Sequence, residues 1–281
     1  MKRETGFTLL ELLIAMAISG IVAAAIYSVF QSQHKSYIIQ EDIAEMQQNL
    51  RGGMDLMIQE MRMAGYDPTG SLNASITVIS TNDSVTFTRD DGAGALDTYT
   101  YSFDSVNKTL ARTYNGSGAQ TVAENIEALG FAYAFDADGD GVIDTYDAVN
   151  MNPAPATAAE RRSVIWAFDS DNNNTLDRNM DTNRDGVIDE NDDMTGDDII
   201  EGRILVDFDG NNIADVPMAD IKSARIWMLA RSSRADNKIV NDRYYVIGTR
   251  VINPFRDADP DNNNRRTMLL ATTLRFRNIG L

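Results

Sequence analysis

The chain has 281 residues, 43% of them hydrophobic, so it can bury a sizeable core. No cysteine is present, which excludes disulfide staples and thiolate chemistry, and the single histidine, His34, excludes a multi-histidine metal centre. A net charge of −17 repels phosphates, so nucleic acid is not an expected partner; such acidity suits a solvated extracellular surface or a calcium binder.

The chain opens with Met1-Lys-Arg-Glu-Thr-Gly6, short and net basic, and is apolar from Phe7 to Phe30. This run of 24 residues carries one charge, Glu11. As a helix rising about 1.5 Å per residue it is about 36 Å long, enough to cross a hydrocarbon core of about 30 Å. It is too long for the apolar part of a secretory signal, and no small-x-small cleavage site follows it. Lys2 and Arg3 before the run, with acids abundant after it, orient the N-terminus to the cytoplasm and the remainder outside it. A carboxylate inside a spanning helix costs about 2.5–3.5 kcal/mol, so Glu11 calls for a partner.

The basic leader followed by Gly6, Phe7, Thr8, Leu9, Leu10 and Glu11 resembles the N-terminus of type IV prepilins and type II secretion pseudopilins. The resemblance implies a prepilin peptidase that cuts between Gly6 and Phe7, N-methylation of Phe7, and an apolar helix that anchors in the inner membrane before it packs into a filament. It also implies that Glu11 neutralises the new α-amine of Phe7, its own or a neighbouring subunit's, during assembly. Expected partners are therefore the peptidase, the inner membrane and other minor and major pilins.

Ile39, Ile43, Met46, Leu50, Met54, Met57 and Met61 recur at steps of three and four, one face of a continuing helix. The methionine-rich stripe reads as core packing rather than a cofactor site. Gly52-Gly53 is a weak point, at about 1 kcal/mol per Gly relative to Ala. Gly65 and Pro68 mark the stop. One helix is thus expected from Phe7 to about Ala64, apolar all round and then amphipathic, with segment boundaries at 1–6, 7–30, 31–66 and 67–281.

From residue 69 the pattern becomes β. Segments 75–80, 84–89, 98–103 and 108–114 alternate or are β-branched and read as an antiparallel meander. Residues 123–136 read as a short turn or helix and then a strand. Further strands are expected at 163–168, 204–208, 223–233, 242–252 and 266–278. The segments IEALGFAYAFD, IKSARIWMLARSS and RRTMLLATTLRFRNIGL resemble PilW-type minor pilins and, more distantly, the J-type minor pseudopilin. The fold this implies is α+β, the pilin fold: a long N-terminal helix on an antiparallel sheet, here with an acidic loop-rich insertion at about 136–220. Many major pilins carry a proline partway along the helix, where this chain has Ser28, and a C-terminal cysteine pair, which it lacks. Both departures fit a minor subunit that primes or caps assembly. The alternatives are a type II secretion minor pseudopilin and a pilus-tip adhesin.

Within the insertion, oxygen donors recur at fixed spacing. Asp136, Asp138, Asp140, Asp144 and Asp147 occupy positions 1, 3, 5, 9 and 12 of one loop, with Gly141 at 6 and the Val142 carbonyl at 7. Asp181, Asn183, Asp185, Asp189 and Asp192 repeat the pattern, with Gly186 at 6 and the Val187 carbonyl at 7. Calcium takes six to eight hard oxygens at about 2.3–2.6 Å, and this spacing folds them round one ion. The apolar residues at position 8, Ile143 and Ile188, are expected to anchor each loop to the core. Asp stands at 12, a shorter arm than the usual Glu. The loops resemble EF-hand, dockerin and thrombospondin-type calcium loops, without long flanking helices. Weaker copies are Asp169, Asp171, Asn173 and Asp177, and Asp207, Asp209, Asn211 and Asp215; Asp257, Asp259 and Asp261 are weaker still. Ca2+ is therefore the expected cofactor, holding the acidic region folded outside the cell.

Paired acids at Asp192-Asp193 and Asp197-Asp198 could suggest glycoside hydrolysis, but calcium loops account for their density and no enzyme is expected. Trp166 and Trp227 read as core. Arg225, Arg231, Arg234, Arg265, Arg266, Arg275 and Arg277 make the C-terminal third locally basic.

Overall fold

A computed structural model describes residues 8–147, 162–205, 216–236, 238–254 and 264–279. It divides into two compact units, Met1–Glu45 and Met46–Leu281. Helix α1, Leu9–Met61, begins in the first unit and ends in the second. Within the first unit the side chains from Leu9 to Tyr37 are exposed all round, as an uninterrupted apolar helix without a partner must be. By length and composition it can cross a membrane.

In the second unit Met46, Leu50, Met54, Met57 and Met61 form one buried stripe. Each such side chain contributes about 1.5–3 kcal/mol when fully removed from water. The glycine that weakens the helix on propensity has a packing reason. A Cβ on Gly53 would stand 2.9 Å from the Ala123 Cβ, so only glycine permits this approach of helix to sheet. The helix ends at Met61, a turn earlier than the sequence suggests. The Met63 and Ala64 N–H groups bond back three residues, to Glu60 and Met61, in a tightened last turn.

Five strands follow in an up-and-down antiparallel sheet: β1 Ile76–Ile79, β2 Ser84–Asp90, β3 Leu96–Asp104, β4 Thr109–Tyr114 and β5 Gln120–Ala123. Alternation sets the faces, and Asp97, Tyr99, Tyr101 and Phe103 of β3 all point inward. Phe87 stacks on Tyr99 with centroids 5.4 Å apart. Glu60 of α1 receives Arg112 through two bonds of 2.8 and 2.7 Å and also accepts from the Tyr101 hydroxyl, which ties the helix to β3 and β4.

The remaining strands are β6 Ile126–Phe135, β7 Thr145–Asp147, β8 Arg162–Val164, β9 Ala167–Phe168, β10 Thr175–Leu176, β11 Arg178–Asn179, β12 Arg203–Ile204, β13 Val216–Pro217, β14 Ile221–Arg231, β15 Tyr245–Ile247, β16 Arg250–Ile252 and β17 Thr267–Arg275. Six of them form a second sheet in the order β12-β11-β9-β6-β14-β17. Every residue of β6 is buried, so the sheet is covered on both faces at this strand. One face, with Phe131, Tyr133, Ile226 and Met228, joins the α1 core. The other carries a separate core of Ala128, Ala132, Phe168, Met180, Ile200, Trp227, Leu229, Ile247 and Val251. A Cβ on Gly130 would lie 2.2 Å from the Gly248 N, so small residues on β6 let the β15–β16 hairpin lie directly on it.

Two expected strands differ. Residues 242–252 form that hairpin rather than one strand, turning at Gly248 with φ of 60°. Residues 163–168 split between two sheets, β8 pairing with β7 and β9 with β6 and β11, with Ile165 donating to the Asp144 carbonyl at the changeover. At 123–136 a turn with Asn125 at φ 57° replaces the helix option. Of 204–208, only residues 204 and 205 are described, and β12 ends at Ile204.

Candidate functional site: an assembly helix and a set of acidic loops

Gly6 and Phe7 lie outside the described residues. Beside them, Thr8 and Glu11 form the start of α1. The Thr8 N–H and hydroxyl both donate to Glu11 Oε2 at 2.9 Å, and the Glu11 N–H donates back to Thr8 Oγ1 at 3.3 Å. This reciprocal pair is a capping box, which closes the first helical turn. Glu11 thus has a local role that the sequence reading did not assign, while its Oε1 takes no hydrogen bond among the described residues.

The acidic loops share one backbone. In the first, positions 4 and 6 are Gly139 and Gly141, at φ of 72° and 84°. Asp136 Oδ2 accepts from the position 6 N–H at 3.0 Å, Asp138 from the position 5 N–H at 3.1 Å, and Asp140 from the position 7 N–H at 2.7 Å. Asp144 at position 9 accepts from the Ala137 N–H at 2.8 Å and closes the ring. The loop at Asp181 has Arg184 and Gly186 at positions 4 and 6, φ 67° and 89°, and the same bonds from 5, 6 and 7. The loop at Asp169 has Asn172 and Asn174 there, φ 61° and 65°, and again the same bonds. Asn tolerates the left-handed region better than other side chains, so the missing glycine does not alter the loop.

The loops differ in how they close. Asp177 at position 9 accepts from the Ser170 N–H, as Asp144 does from Ala137. In the Asp181 loop the task falls to Asp192 at position 12. Its Oδ1 accepts from Thr182 at 2.7 Å and Asn183 at 3.2 Å, and its Oδ2 from Asp189 at 3.0 Å. The shorter arm bonds both ends of the loop and is fully buried. Position 8 anchors two of the loops, Leu176 buried in the α1 core and Ile188 packed on the second core, whereas Ile143 of the first loop is half-buried and belongs to neither core. Val142 and Val187 are exposed at position 7, with side chains turned outward. The side chain of Asp147 and all of Asp207, Asp209, Asn211, Asp215, Asp257, Asp259 and Asp261 lie outside the described residues.

The electrostatics are those of crowded carboxylates. Burial raises the Asp192 carboxyl to about 6 against its backbone donors, and the Asp181 charge adds to the rise. Burial also raises Asp181, Asp169 and Asp144, and for Asp144 the charges of Asp138, Asp136 and Asp140 contribute. One oxygen from each of Asp136, Asp138 and Asp140 lies within 4.8 Å of the others. Asp136 is only 5% exposed, and its Oδ1 is buried with no hydrogen-bond partner among the described residues. Such an atom carries a desolvation cost that a hard cation would relieve.

A further loop escaped the sequence reading. Asp193, Asp197 and Glu201 also bring carboxylate oxygens within 4.8 Å of one another. Counted from Asp193, Thr195 is at 3, Asp197 at 5 and Glu201 at 9. Gly196 and Asp198 at 4 and 6 have φ of 75° and 67°, and Ile200 at 8 is buried in the second core. The Asp198 N–H donates to Asp193 at 2.8 Å and the Ile199 N–H to Asp197 at 3.1 Å, as in the other loops. The signal was present as oxygen donors at 1, 3, 5 and 9 before an apolar 8, obscured by Thr at 3 and Asp at 6.

The remaining residues divide plainly. His34 stacks on Phe30 on the exposed helix, with ring centroids 6.2 Å apart. Trp227 is buried in the second core, Trp166 packs beside it, and Arg225 lies over both rings at 4.9 and 5.9 Å.

A family model described as the prokaryotic N-terminal methylation motif matches residues 1–27. No curated protein sequence matches the chain. Among solved structures, a type IV-like pilin from Thermus thermophilus aligns with 8% identity and a TM-score of 0.37, over 83% of this chain and 97% of that one. The prokaryotic N-terminal methylation motif thus leads into a long helix whose C-terminal part packs on antiparallel sheets, an α+β architecture. The motif implies processing by a prepilin peptidase and assembly with other pilins, and with the apolar helix it fits membrane anchoring.

Proposed function

We propose that this chain is a minor type IV pilin, a structural subunit that primes or caps pilus assembly and whose acidic outer layer is stabilised by calcium. Prepilin peptidase cuts between Gly6 and Phe7 at the cytoplasmic face of the inner membrane, and Phe7 is N-methylated. The α-amine so created lies one residue before Thr8. Glu11 Oε1, which takes no bond in the capping box, is available to pair with that amine on its own subunit or a neighbour. The pairing neutralises a charge that is costly in hydrocarbon and lets the apolar segment pack among other pilin helices. The methylation motif is the observation that carries the assembly reading. Ser28 in place of a helix-breaking proline and the absence of cysteine support minor status.

For calcium, the buried and unpartnered Asp136 Oδ1 carries the reading. Asp136, Asp138, Asp140, Asp144 and the Val142 carbonyl would hold one ion. Asp181, Asn183, Asp185, Asp189, Asp192 and the Val187 carbonyl would hold a second, and the loop at Asp169 a third. The ion supplies the positive charge that these carboxylates lack.

Two measurements test the proposal. Glu11→Ala should abolish incorporation into filaments, seen by electron microscopy and fractionation, while leaving Gly6–Phe7 cleavage intact; wild-type incorporation would end the pairing account. Deletion of the gene should remove pili. Pili left intact with loss of secreted hydrolases would favour a type II secretion pseudopilin, and intact pili with loss of surface binding a tip adhesin.

A further inference from the structure

The structure separates the basic residues of the C-terminal third by what they touch. Arg231 pairs with Glu127 at 3.1 Å and Arg266 with Asp236 at 3.4 Å. Arg265 donates to the Ser232 carbonyl, and Arg225 lies over the two tryptophans. Arg275 and Arg277 are different: both are exposed, and neither has a carboxylate within 4 Å among the described residues. With exposed Arg62 and with Lys222 they line a cleft of about 700 Å³.

Part of the wall of that cleft is the first acidic loop, through Asp136, Gly139 and Gly141. At both glycines nothing lies within 4 Å of where a Cβ would be, so the loop backbone is open to close approach. Arg62, Lys222, Arg275 and Arg277 therefore share the cleft with the acidic loop, whose Asp136 lies in its wall. A divalent ion on the loop adds two positive charges to that wall. Over distances shorter than a Debye length of about 8 Å, that change is felt across the cleft.

We propose that this cleft binds an extended acidic peptide segment of an adjoining subunit, and that calcium on the Asp136 loop turns the binding on. The inference rests on the calcium reading of that loop. Arg275, the last residue of β17, and Arg277, just beyond it, flank buried Phe276, and both are exposed at the cleft. Among the described residues β17 pairs only with β14, so it is the edge of its sheet and offers backbone groups along which such a segment can lie. Arginine adds paired donors that match a carboxylate.

The test uses the full chain in detergent and a fluorescent Glu-rich decapeptide followed by anisotropy at low salt. Affinity should rise at least about tenfold between chelator and about 1 mM calcium. Arg275→Glu with Arg277→Glu should abolish peptide binding and leave calcium binding, measured separately by calorimetry, and the far-ultraviolet spectrum unchanged. Calcium bound with peptide affinity indifferent to it, or peptide binding that survives the double reversal, would overturn the inference alone. Absence of calcium binding to the wild-type chain would overturn the reading beneath it. A labelled oligonucleotide that bound more tightly than the peptide would overturn the choice of partner.

Discussion

The meander β1–β5 and the acidic stretch from Ala167 to Ile204 are of comparable extent and are built on opposite principles. The meander's paired strands run to nine residues, alternate inside and outside, and close on α1 through Tyr101, Arg112 and Glu60. The acidic stretch has strands of two residues, and its backbone N–H groups go largely to its own aspartates. Yet it supplies Phe168, Met180 and Ile200 to the core that covers the second face of β6 and β14. One region is held by ladders and apolar burial, the other by carboxylates whose mutual repulsion needs a counter-charge. On the calcium reading proposed above, the first region is expected to fold alike with and without the ion, and the second to depend on it.

Truncation in the α1 core should give the largest effect and be blind to calcium. Met57→Ala, at a fully buried position, is expected to cost about 2–5 kcal/mol by thermal or denaturant unfolding, equally with chelator and with calcium. A calcium-dependent cost would break the division. Chelation comes next. Each loop that binds calcium should lose about 2.7 kcal/mol of stabilisation when the ion is withdrawn from a hundredfold above its dissociation constant. The loss should appear as a separate early transition rather than a shift of the whole melt.

Arg112→Ala should follow at about 2 kcal/mol. It leaves the mostly buried Glu60 carboxylate with the Tyr101 hydroxyl as its donor among the described residues, and the loss should be the same with and without calcium. The smallest effect concerns pH. The Tyr114 hydroxyl, with Asn115 and Arg89, holds the buried Asp97 carboxyl below the usual range. A depressed carboxylate contributes stability that is present at neutral pH and lost as pH falls through its folded-state value. Asp97→Asn should therefore flatten the acid limb of a stability profile taken in chelator, and an unchanged limb would contradict this.

Much of this division was legible in the sequence. The apolar run and the methionine stripe follow from helical periodicity, and β2 and β3 from alternation. The loops at Asp136 and Asp181 follow from spacing, which is rigid because backbone bonds at positions 5, 6 and 7 fix it. What was hidden depends on tertiary contact. Gly53 looks like a defect until Ala123 is placed 2.9 Å from its absent Cβ. Ala128, Gly130 and Ala132 give no sign in isolation that a hairpin will lie on them. Residues 242–252 are apolar enough for one strand, and only packing on Gly130 explains the reversal at Gly248. The loop at Asp193 was missed because its left-handed positions are filled by Gly196 and Asp198 rather than by the expected glycine at 6.

Native-state hydrogen exchange of the full chain in detergent, with chelator and with about 1 mM calcium, tests the central claim most directly. The account predicts that amides of residues 137–144, 170–177 and 182–192 gain protection on adding calcium while those of β2, β3 and β14 do not change. Equal protection of the loops in chelator and in calcium would contradict it.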